Sequence, residues 1–548
     1  MAGQHRRAAI DRRAFLKAGS VGVGGLWVAG VTGCAPSPEL IPVSGNAPFD
    51  TPFTSGVLSG LHSDSEVVLW TRLDPTLAPG ASSIRWQVAL DPSMTSVVES
   101  GTVGVGPDRD FTAKVLVGGL QSDRSYWYRF LVEGASSRVG RARTLPRRGD
   151  DTKGLALAYG SCQRWGSGWY NAWRGIAAED VDAVVWLGDY IYESGGSTGL
   201  GDVRRDTVGA ADTLATYRAK YRLYRTDPLL QAGHAAHPFV PVWDDHEFVN
   251  NYIASDLIRD AVRAREAYQA WFEYMPVWPI DGTQIYRRLR WGRLAELSML
   301  DTRQYRDRQA NGFNPDPEVR PILGVGPVVA EAAQTGRTIL GAAQRQWLLD
   351  GLDDAQDDDV TWKLIGNQVM ISPVRPIDLD DDFFRALDPS LPRHNGVYVN
   401  MDSWDSYFWE RDLLLGSLAE RRIDNVSFLT GDIHMFWQST LSADYDDPRS
   451  PKVANEFVGG GISSAGLSAV GNDDVSRAIE DLATQWSPAY RYCDFRRNGY
   501  GVVRATEESM SVSFRTTRVK QQNVPVSTSV RFDLTPGNPV PTLTRIDP

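Results

Sequence analysis

Five short apolar runs, each followed by polar residues of the kinds that bind ligands, constrain the fold of this 548-residue chain most strongly. Amphipathic segments, such as 256–275 and 341–355, lie between the runs, and this alternation is typical of α/β proteins. Loops at the carboxyl ends of parallel strands commonly build binding sites. The pattern predicts strands at 155–159, 183–187, 239–243, 295–300 and 426–430. The residues at their ends are Ser161-Cys162-Gln163, Gly188-Asp189-Tyr190-Ile191-Tyr192-Glu193, Asp244-Asp245-His246-Glu247, Asp301-Thr302-Arg303-Gln304-Tyr305-Arg306 and Gly431-Asp432-Ile433-His434.

The residue types at these strand ends predict a metal site. Asp189 and Tyr192 are three residues apart, so a short turn could direct both side chains toward one ion. A tyrosinate suits ferric iron, whose charge lowers the pKa of the phenol. Cys162 could add a thiolate and His434 an imidazole, which would complete a mixed sulfur, oxygen and nitrogen set.

A second ion is expected to have mainly oxygen ligands. Asp189 would bridge the two ions, and the further ligands would be Asp245, Asn250 or Asn251, and Asp432. Oxygen-only ligation favours calcium or another hard divalent ion.

Each of these residues also has a simpler interpretation. Cys162 could be a packed side chain or form a disulfide with Cys493. Asp189 could be a turn residue, Tyr192 a packed aromatic, and Asp245 with its neighbour a helix cap. A shared site accounts better for one Cys, several Asp, one Tyr and two His at five strand ends.

These motifs, in this order, resemble the PhoD-type alkaline phosphatase and phosphodiesterase family of the calcineurin-like metallophosphoesterase superfamily. The resemblance covers nearly the whole mature chain. It implies an α/β fold in which a small antiparallel β-sandwich precedes a four-layer αββα metallophosphoesterase core. It also implies a site that holds Fe³⁺ and Ca²⁺, in which the iron ligands are Cys162, Asp189, Tyr192 and His434.

The resemblance places the calcium ligands in the remaining motifs. The cluster 244–247 stands where many metallophosphoesterases have Gly-Asn-His-Glu. Our prediction takes Asp245, Asn250 and Asp432, and the choice among Asp244, Asp245, Asn250 and Asn251 is left open.

The expected reaction is the hydrolysis of phosphate esters with release of phosphate. Two metal ions about 3.5–4 Å apart can lower the pKa of bound water and clamp the attacking and leaving oxygens. A metal-bound hydroxide or oxide would then attack phosphorus directly. His246 is predicted to contact the phosphoryl oxygens or protonate the leaving alcohol, and Arg303 to stabilise the developing negative charge. The alternatives are a structural histidine and an ion pair between Arg303 and Asp301.

Two other classes of protein are alternatives. An exported glycoside hydrolase would use two carboxylates as acid and base, and would leave Cys162, Tyr192 and His434 without a shared purpose. A non-enzymatic lipoprotein that binds the cell envelope would leave the whole strand-end pattern unexplained.

The net charge of -11 limits the classes of molecule that the protein is expected to bind. Stable nucleic-acid binding is not expected, because that function needs clustered Lys and Arg. The expected partners are small-molecule or polymeric phosphate esters, which must be attracted by local positive charge.

The first 34 residues are predicted to be an export signal. Arg12 and Arg13 precede a weakly apolar stretch, as in twin-arginine signals. Residues 31–34 resemble a lipobox in which Cys34 would carry a lipid anchor; cleavage nearby without a lipid is the alternative. The chain is therefore expected in the cell envelope or outside the cell.

The predicted organisation after the signal has four parts. These are a Pro-rich linker at 35–52, a β-sandwich domain at 53–146, a catalytic domain at 152–520 and a C-terminal extension at 521–548.

Overall fold

The computed structural model describes residues 51–196, 201–278, 282–316, 318–379, 386, 393–467 and 472–546. The predicted export signal, with Cys34, lies outside the described residues, as does nearly all of the predicted linker. Among the described helices, none is both long enough and apolar enough to cross a bilayer.

The strands and helices are numbered separately in chain order. The first twelve strands are β1 (Val57–Leu61), β2 (Val67–Arg72), β3 (Ser83–Ala89), β4 (Val97–Gly104), β5 (Thr112–Val117), β6 (Ser125–Val132), β7 (Ala135–Ser136), β8 (Gly140–Arg143), β9 (Leu155–Gly160), β10 (Ala183–Leu187), β11 (Phe239–Val242) and β12 (Arg287–Trp291). The others are β13 (Ala295–Met299), β14 (Trp362–Asn367), β15 (Ile377–Asp378), β16 (Gly396–Val397), β17 (Val426–Thr430), β18 (Phe436–Ser442), β19 (Lys452–Val458), β20 (Tyr490–Asp494), β21 (Asn498–Ala505), β22 (Met510–Thr517), β23 (Ser527–Thr535) and β24 (Asn538–Arg545). The helices are α1 (Asn171–Ala178), α2 (Leu214–Tyr224), α3 (Pro228–Ala236), α4 (Ala254–Arg259), α5 (Ala261–Tyr274), α6 (Pro327–Ala332), α7 (Gly341–Asp357), α8 (Phe408–Glu420) and α9 (Asp473–Trp486).

Two large sheets form the core of the chain. The first has ten strands in the order β24-β23-β22-β21-β9-β10-β11-β1-β2-β5, and its central strands β9, β10 and β11 are parallel. The second has seven strands in the order β12-β13-β14-β17-β19-β18-β20, with β13, β14, β17 and β19 parallel. Strand β10 is apolar and buried at every position, as expected for a parallel strand covered on both faces.

The two sheets pack face to face between layers of helices. A Cβ atom on Gly366 of β14 would lie 3.4 Å from Leu187 of β10, so the sheets are in close contact there. One buried cluster joins the ten-stranded sheet to α1, while a second joins the seven-stranded sheet to α7 and α8. The predicted four-layer αββα arrangement is confirmed.

The N-terminal region is an antiparallel sandwich, as predicted, but it shares a sheet with the core. Strands β3, β4, β6, β7 and β8 form one layer. They pack on β1, β2 and β5, which are the end of the ten-stranded sheet, and β1 pairs in parallel with β11 at Gly60 and Phe239. At the opposite end, β23 and β24 extend the same sheet, so much of segment 521–548 is part of the core. The domain boundaries themselves stay predictions.

The five apolar runs form β9, β10, β11, β13 and β17, each within one residue of its predicted bounds. The amphipathic segment 256–275 differs in that it is divided at Asp260 into α4 and α5. All five polar clusters follow the carboxyl ends of their strands.

Candidate metal centre

The loops after β9, β10, β11 and β17 are in direct contact. The Cys162 N–H donates to the Gly188 carbonyl over 3.2 Å, which joins the first two loops. A Cβ atom on Gly431 would lie 2.6 Å from Ser161 Oγ. Gly188 has φ of 95°, and a Cβ atom there would lie 2.3 Å from Asp244 Cβ, so only glycine fits. These close approaches bring the predicted ligands together.

The four predicted iron ligands converge. Single ligand atoms of Cys162, Asp189 and His434 all lie within 4.8 Å of one another. Tyr192 Oη lies 2.7 Å from Asp189 Oδ2, to which it donates, and 3.0 Å from His434 Nε2. His434 Nδ1 lies 2.9 Å from the Ala465 carbonyl, so this nitrogen can donate there and leave Nε2 as a ligand atom.

A second group shares Asp189 with the first. Ligand atoms of Asp189, Asp245 and His246 also lie within 4.8 Å of one another. Asp432 is near this group, since one guanidinium nitrogen of Arg303 lies 3.7 Å from Asp245 Oδ2 and 3.6 Å from Asp432 Oδ1. A single carboxylate between two ligand groups is the arrangement expected of a bridge.

Four candidate ligands have strained backbone conformations. The φ angles of Cys162, Asp189, Asp432 and His434 are 58°, 57°, 65° and 59°. A non-glycine residue in the left-handed region costs on the order of 1–3 kcal/mol, and such residues cluster at functional sites. These four residues follow the carboxyl ends of β9, β10 and β17.

The described cationic side chains do not neutralise all of the negative charge that the carboxylates at the site would carry when ionised. Burial raises the pKa of Asp189 well above its usual value, and His246 offsets this only in part. Burial likewise raises the pKa of Asp432 well above its usual value and that of Asp244 to about 6. Among the described residues, neither Asp244 Oδ2 nor Asp245 Oδ1 has a hydrogen-bond partner, although both atoms are buried. Bound cations would supply the missing charge.

The thiol of Cys162, the phenol of Tyr192 and the imidazole of His434 are also suited to bind a metal ion. Burial raises the pKa values of the Cys162 thiol and the Tyr192 phenol well above their usual values, and the Asp189 carboxylate adds to both shifts. Burial lowers the pKa of His434 to about 4, so its imidazole is neutral at pH 7. A bound cation would favour the thiolate and phenolate that it coordinates. The residues present therefore fit metal ions.

Arg303 lies among the carboxylates of the site, and its side chain is fully buried. Its Nε donates to Asp244 Oδ1 over 2.5 Å, and another guanidinium nitrogen donates to Asp402 Oδ2 over 2.7 Å. Asp301 accepts a hydrogen bond from the backbone N–H of Arg303 at 3.0 Å, not from the guanidinium. The ion pair between Arg303 and Asp301 that was the alternative interpretation is therefore wrong.

His246 is held on one side by a carboxylate. Its Nδ1 lies 2.6 Å from Glu193 Oε2, and its ring centroid lies 4.0 Å from that of Tyr192. Burial alone would lower the pKa of His246, but the carboxylates of Glu193, Asp245 and Asp189 together raise it well above its usual value. The histidine thus lies at the site with a fixed orientation.

Asn250 and Asn251 contact the site through backbone atoms. Asn250 is exposed, and its N–H donates to Glu193 Oε1 over 3.1 Å. The N–H of Asn251 donates to Asp245 Oδ2 over 2.7 Å. Asn250 as a calcium ligand therefore stays a prediction.

The sequence analysis assigned no role to several residues at the site. Glu247 accepts backbone hydrogen bonds from Asp189 and Asp244, at 3.0 and 2.8 Å, and so ties two loops together. Glu193 and Glu247 each follow a predicted site residue directly in sequence, and this adjacency could have identified them as site residues. Asp402 and Ser464 lie in irregular segments far along the chain, where no pattern marked them.

The two cysteines in the described residues, Cys162 and Cys493, are free and buried. The alternative interpretation that they form a disulfide is wrong, because Cys493 belongs to β20 at the edge of the seven-stranded sheet.

Two family models match the chain. The model described as PhoD-like phosphatase matches residues 157–514, and the model described as PhoD-like phosphatase, N-terminal domain, matches residues 37–146.

Individual proteins are similar over most of the chain. Alkaline phosphatase D of Bacillus subtilis (strain 168) is 34% identical over 493 residues, which cover 86% of this chain and 79% of the relative. A solved structure of PhoD superposes with a TM-score of 0.79 at 31% identity and covers 92% of this chain and 93% of its own. A purple acid phosphatase from yellow lupin seeds has a TM-score of 0.52 at 10% identity, covers 87% of this chain and 74% of its own, and shares the fold alone.

Proposed function

This chain belongs to the PhoD-like phosphatase family and is a phosphoric ester hydrolase of the alkaline phosphatase type, and we propose that the cluster around Asp189 is its active site. The observation that carries the proposal is that ligand atoms of Asp189 lie within 4.8 Å of those of Cys162 and His434 and also of Asp245. One carboxylate can then hold two cations next to each other, as two-metal phosphoesterases require.

The proposed metals follow from the donor atoms. The group of Cys162, Asp189, Tyr192 and His434 offers a thiolate and a phenolate and is proposed to hold Fe³⁺. The oxygen-rich group formed by Asp189 with Asp245, Asp432 and Asn250 is proposed to hold Ca²⁺. When bound, the two ions would supply positive charge that activates a water nucleophile and neutralises the phosphoryl oxygens.

His246 is proposed to act through Nε2. Its Nδ1 is occupied by Glu193 at 2.6 Å, so the second ring nitrogen is the one left to contact a phosphoryl oxygen or to give a proton to the leaving oxygen. The two carboxylate oxygens of Glu193 contact both His246 and the Asn250 N–H, which fixes the ring relative to the loop.

Arg303 is proposed to act indirectly. The sequence suggested contact with developing charge on the substrate, but the guanidinium is fully buried beside Asp244, Asp245, Asp402 and Asp432. This placement supports a role as the counter-charge that holds the carboxylates in position while the cations bind.

Metal analysis and assays with a chelator test the proposed function. The purified wild-type protein should contain iron and calcium and hydrolyse p-nitrophenyl phosphate or bis(p-nitrophenyl) phosphate. Treatment with EGTA should lower the rate at least about 100-fold, and added CaCl₂ should restore it, because a calcium ion would stabilise the transferring phosphoryl group. Activity toward phosphate esters that persists in metal-free protein would contradict the proposal, and a metal-free protein active on glycosides would favour the glycoside hydrolase.

Replacing Glu193 with glutamine should lower kcat without removing the metals. The neutral amide cannot stabilise a protonated His246, and loss of general acid catalysis costs on the order of 10²-fold. The pH profile of kcat should change on its alkaline side, where the wild-type histidine loses its proton. Glu179 pairs with Arg515 and contacts none of the candidate ligands, and the Glu179→Gln variant is the control. Equal kcat values and pH profiles for Glu193→Gln and wild type would contradict the role of Glu193.

Export by the twin-arginine route is also proposed. It rests on Arg12, Arg13 and the lipobox-like residues before Cys34, all outside the described residues. Lipidation at Cys34 would anchor the enzyme at the outer face of the cytoplasmic membrane. Mass spectrometry of the mature N-terminus distinguishes a lipidated Cys34 from simple cleavage.

A further inference from the structure

Three cationic side chains lie around this part of the site, and one of them differs from the other two. Arg164 and Lys220 contact the segment that follows Tyr192, and Arg204 donates to the Trp165 carbonyl. Arg204 pairs with Asp227 at 2.7 Å, and Lys220 pairs with Asp206. Arg164 has no ion pair with any carboxylate in the part of the chain that the structure describes. No contact with a described carboxylate therefore fixes its guanidinium.

Arg164 lies beside the candidate metal centre. Its guanidinium carbon is 5.8 Å from the centroid of the Tyr192 ring. Its backbone N–H donates to Ser464 Oγ over 3.0 Å, and that hydroxyl donates to Tyr192 Oη over 2.7 Å. The residue is only two positions after Cys162, so the same strand end places both a candidate ligand and this cation.

The guanidinium is held in place by neutral acceptors. One terminal nitrogen donates to the Gly196 carbonyl over 3.0 Å, and the other lies 3.5 Å from Ser194 Oγ. The whole residue is 8% exposed. Burying a charged group without an opposite charge is unfavourable, so a fold that keeps one beside a metal centre points to an anionic ligand.

We propose that Arg164 binds the non-bridging oxygens of the substrate phosphoryl group and so favours dianionic phosphate monoesters over monoanionic diesters. This inference rests on the proposed function. The planar fork of a guanidinium matches two phosphate oxygens, and its attraction is stronger for two negative charges than for one. It also supplies the local positive charge that a chain with a net charge of -11 needs to attract an anionic substrate.

The test compares wild type with the Arg164→Gln and Arg164→Lys variants. In Arg164→Gln, kcat/KM for p-nitrophenyl phosphate should fall about 10- to 100-fold, the effect of losing charge-assisted hydrogen bonds, while kcat/KM for bis(p-nitrophenyl) phosphate should fall less than about 3-fold. Arg164→Lys keeps the charge and should retain most of the preference for the monoester. Calorimetry should show the affinity for inorganic phosphate falling about 10-fold or more in Arg164→Gln, which measures binding without turnover.

Controls separate binding from folding. Arg174 is exposed on α1 and contacts Asn523, and the Arg174→Gln variant should match wild type in both assays. Iron and calcium contents of Arg164→Gln should equal those of wild type. The inference is overturned if both substrates lose the same factor, if phosphate affinity is unchanged or if the metals are lost. A wild-type enzyme inactive on both esters would instead contradict the proposed function itself.

Discussion

Replacing Asp189 with asparagine is expected to lower kcat for phosphate esters on the order of 10³-fold or more and to remove at least one metal ion. Asp189 is shared by the two ligand groups, and a neutral amide is a weak bridge between cations. Asparagine tolerates the left-handed conformation of position 189, where φ is 57°, so the backbone can be retained. Steady-state kinetics and metal analysis of the purified variant measure both effects.

The same substitution should not destabilise the metal-free protein. Burial raises the pKa of Asp189 in the folded state above its value in the unfolded chain. A raised carboxyl pKa means that ionisation costs folding free energy, and this cost appears as the pH rises through the unfolded-state value near 4. Replacing the ionisable carboxyl group with an amide removes this cost at pH 7 to 8. Thermal unfolding after chelation should therefore give a Tm for Asp189→Asn equal to or above that of wild type.

Asp123 provides the matched control for this prediction. It also has a left-handed backbone, with φ of 51°, and its carboxylate pairs with Arg143 in the N-terminal sandwich. Asp123→Asn should keep both metals and full activity. A stable Asp189→Asn enzyme that retains both ions and wild-type kcat would show that Asp189 is a structural turn residue.

The sequence was most informative where the signal was local. Each of the five strands is a short apolar run that ends at polar residues. The bounds predicted for β10, 183–187, match the structure at both ends. The convergence of Cys162 and Asp189 followed from a general rule, because the neighbouring parallel strands β9 and β10 bring their carboxyl ends to one edge of a sheet. His434 joins them from β17 of the other sheet. Residue type and position within the motif were sufficient for these ligands.

Features that depend on distant parts of the chain could not be predicted. The pairing of β1 with β11 joins segments that are about 180 positions apart, and nothing in either strand identifies its partner. Asp402 contacts Arg303 across 99 positions, and Ser464 contacts Tyr192 across 272. Sequence could place Arg303 at the site, but the direction of its side chain also depends on the remote carboxylate of Asp402.

Replacing Arg303 with methionine is expected to destabilise the metal-free protein by about 3–5 kcal/mol at pH 8. Methionine keeps much of the side chain's length and removes its charge and donors. The buried carboxylates of Asp244 and Asp245 and the partly buried ones of Asp402 and Asp432 would then surround a neutral group. Urea unfolding after chelation measures the loss of free energy.

The pH dependence identifies the cause of this loss. With Arg303 present the pKa of Asp244 is already raised by burial to about 6, and removing the guanidinium should raise it further. Ionisation of such a group destabilises the folded state above the unfolded pKa near 4, so the deficit should be largest at alkaline pH and shrink as the pH falls toward 5. A cavity left by the shorter side chain would instead give a deficit that is independent of pH.

Stability and kinetics together distinguish the two roles considered for Arg303. If it holds the carboxylates, Arg303→Met should lose metal affinity and stability together, and excess CaCl₂ should recover part of both because the cation replaces the missing charge. If it contacts the transition state, the variant should keep its metals and stability and lose only kcat. Arg518 forms an exposed ion pair with Asp473, and Arg518→Met should change the unfolding free energy by less than about 1 kcal/mol. The complete burial of Arg303 makes the first outcome the expected one.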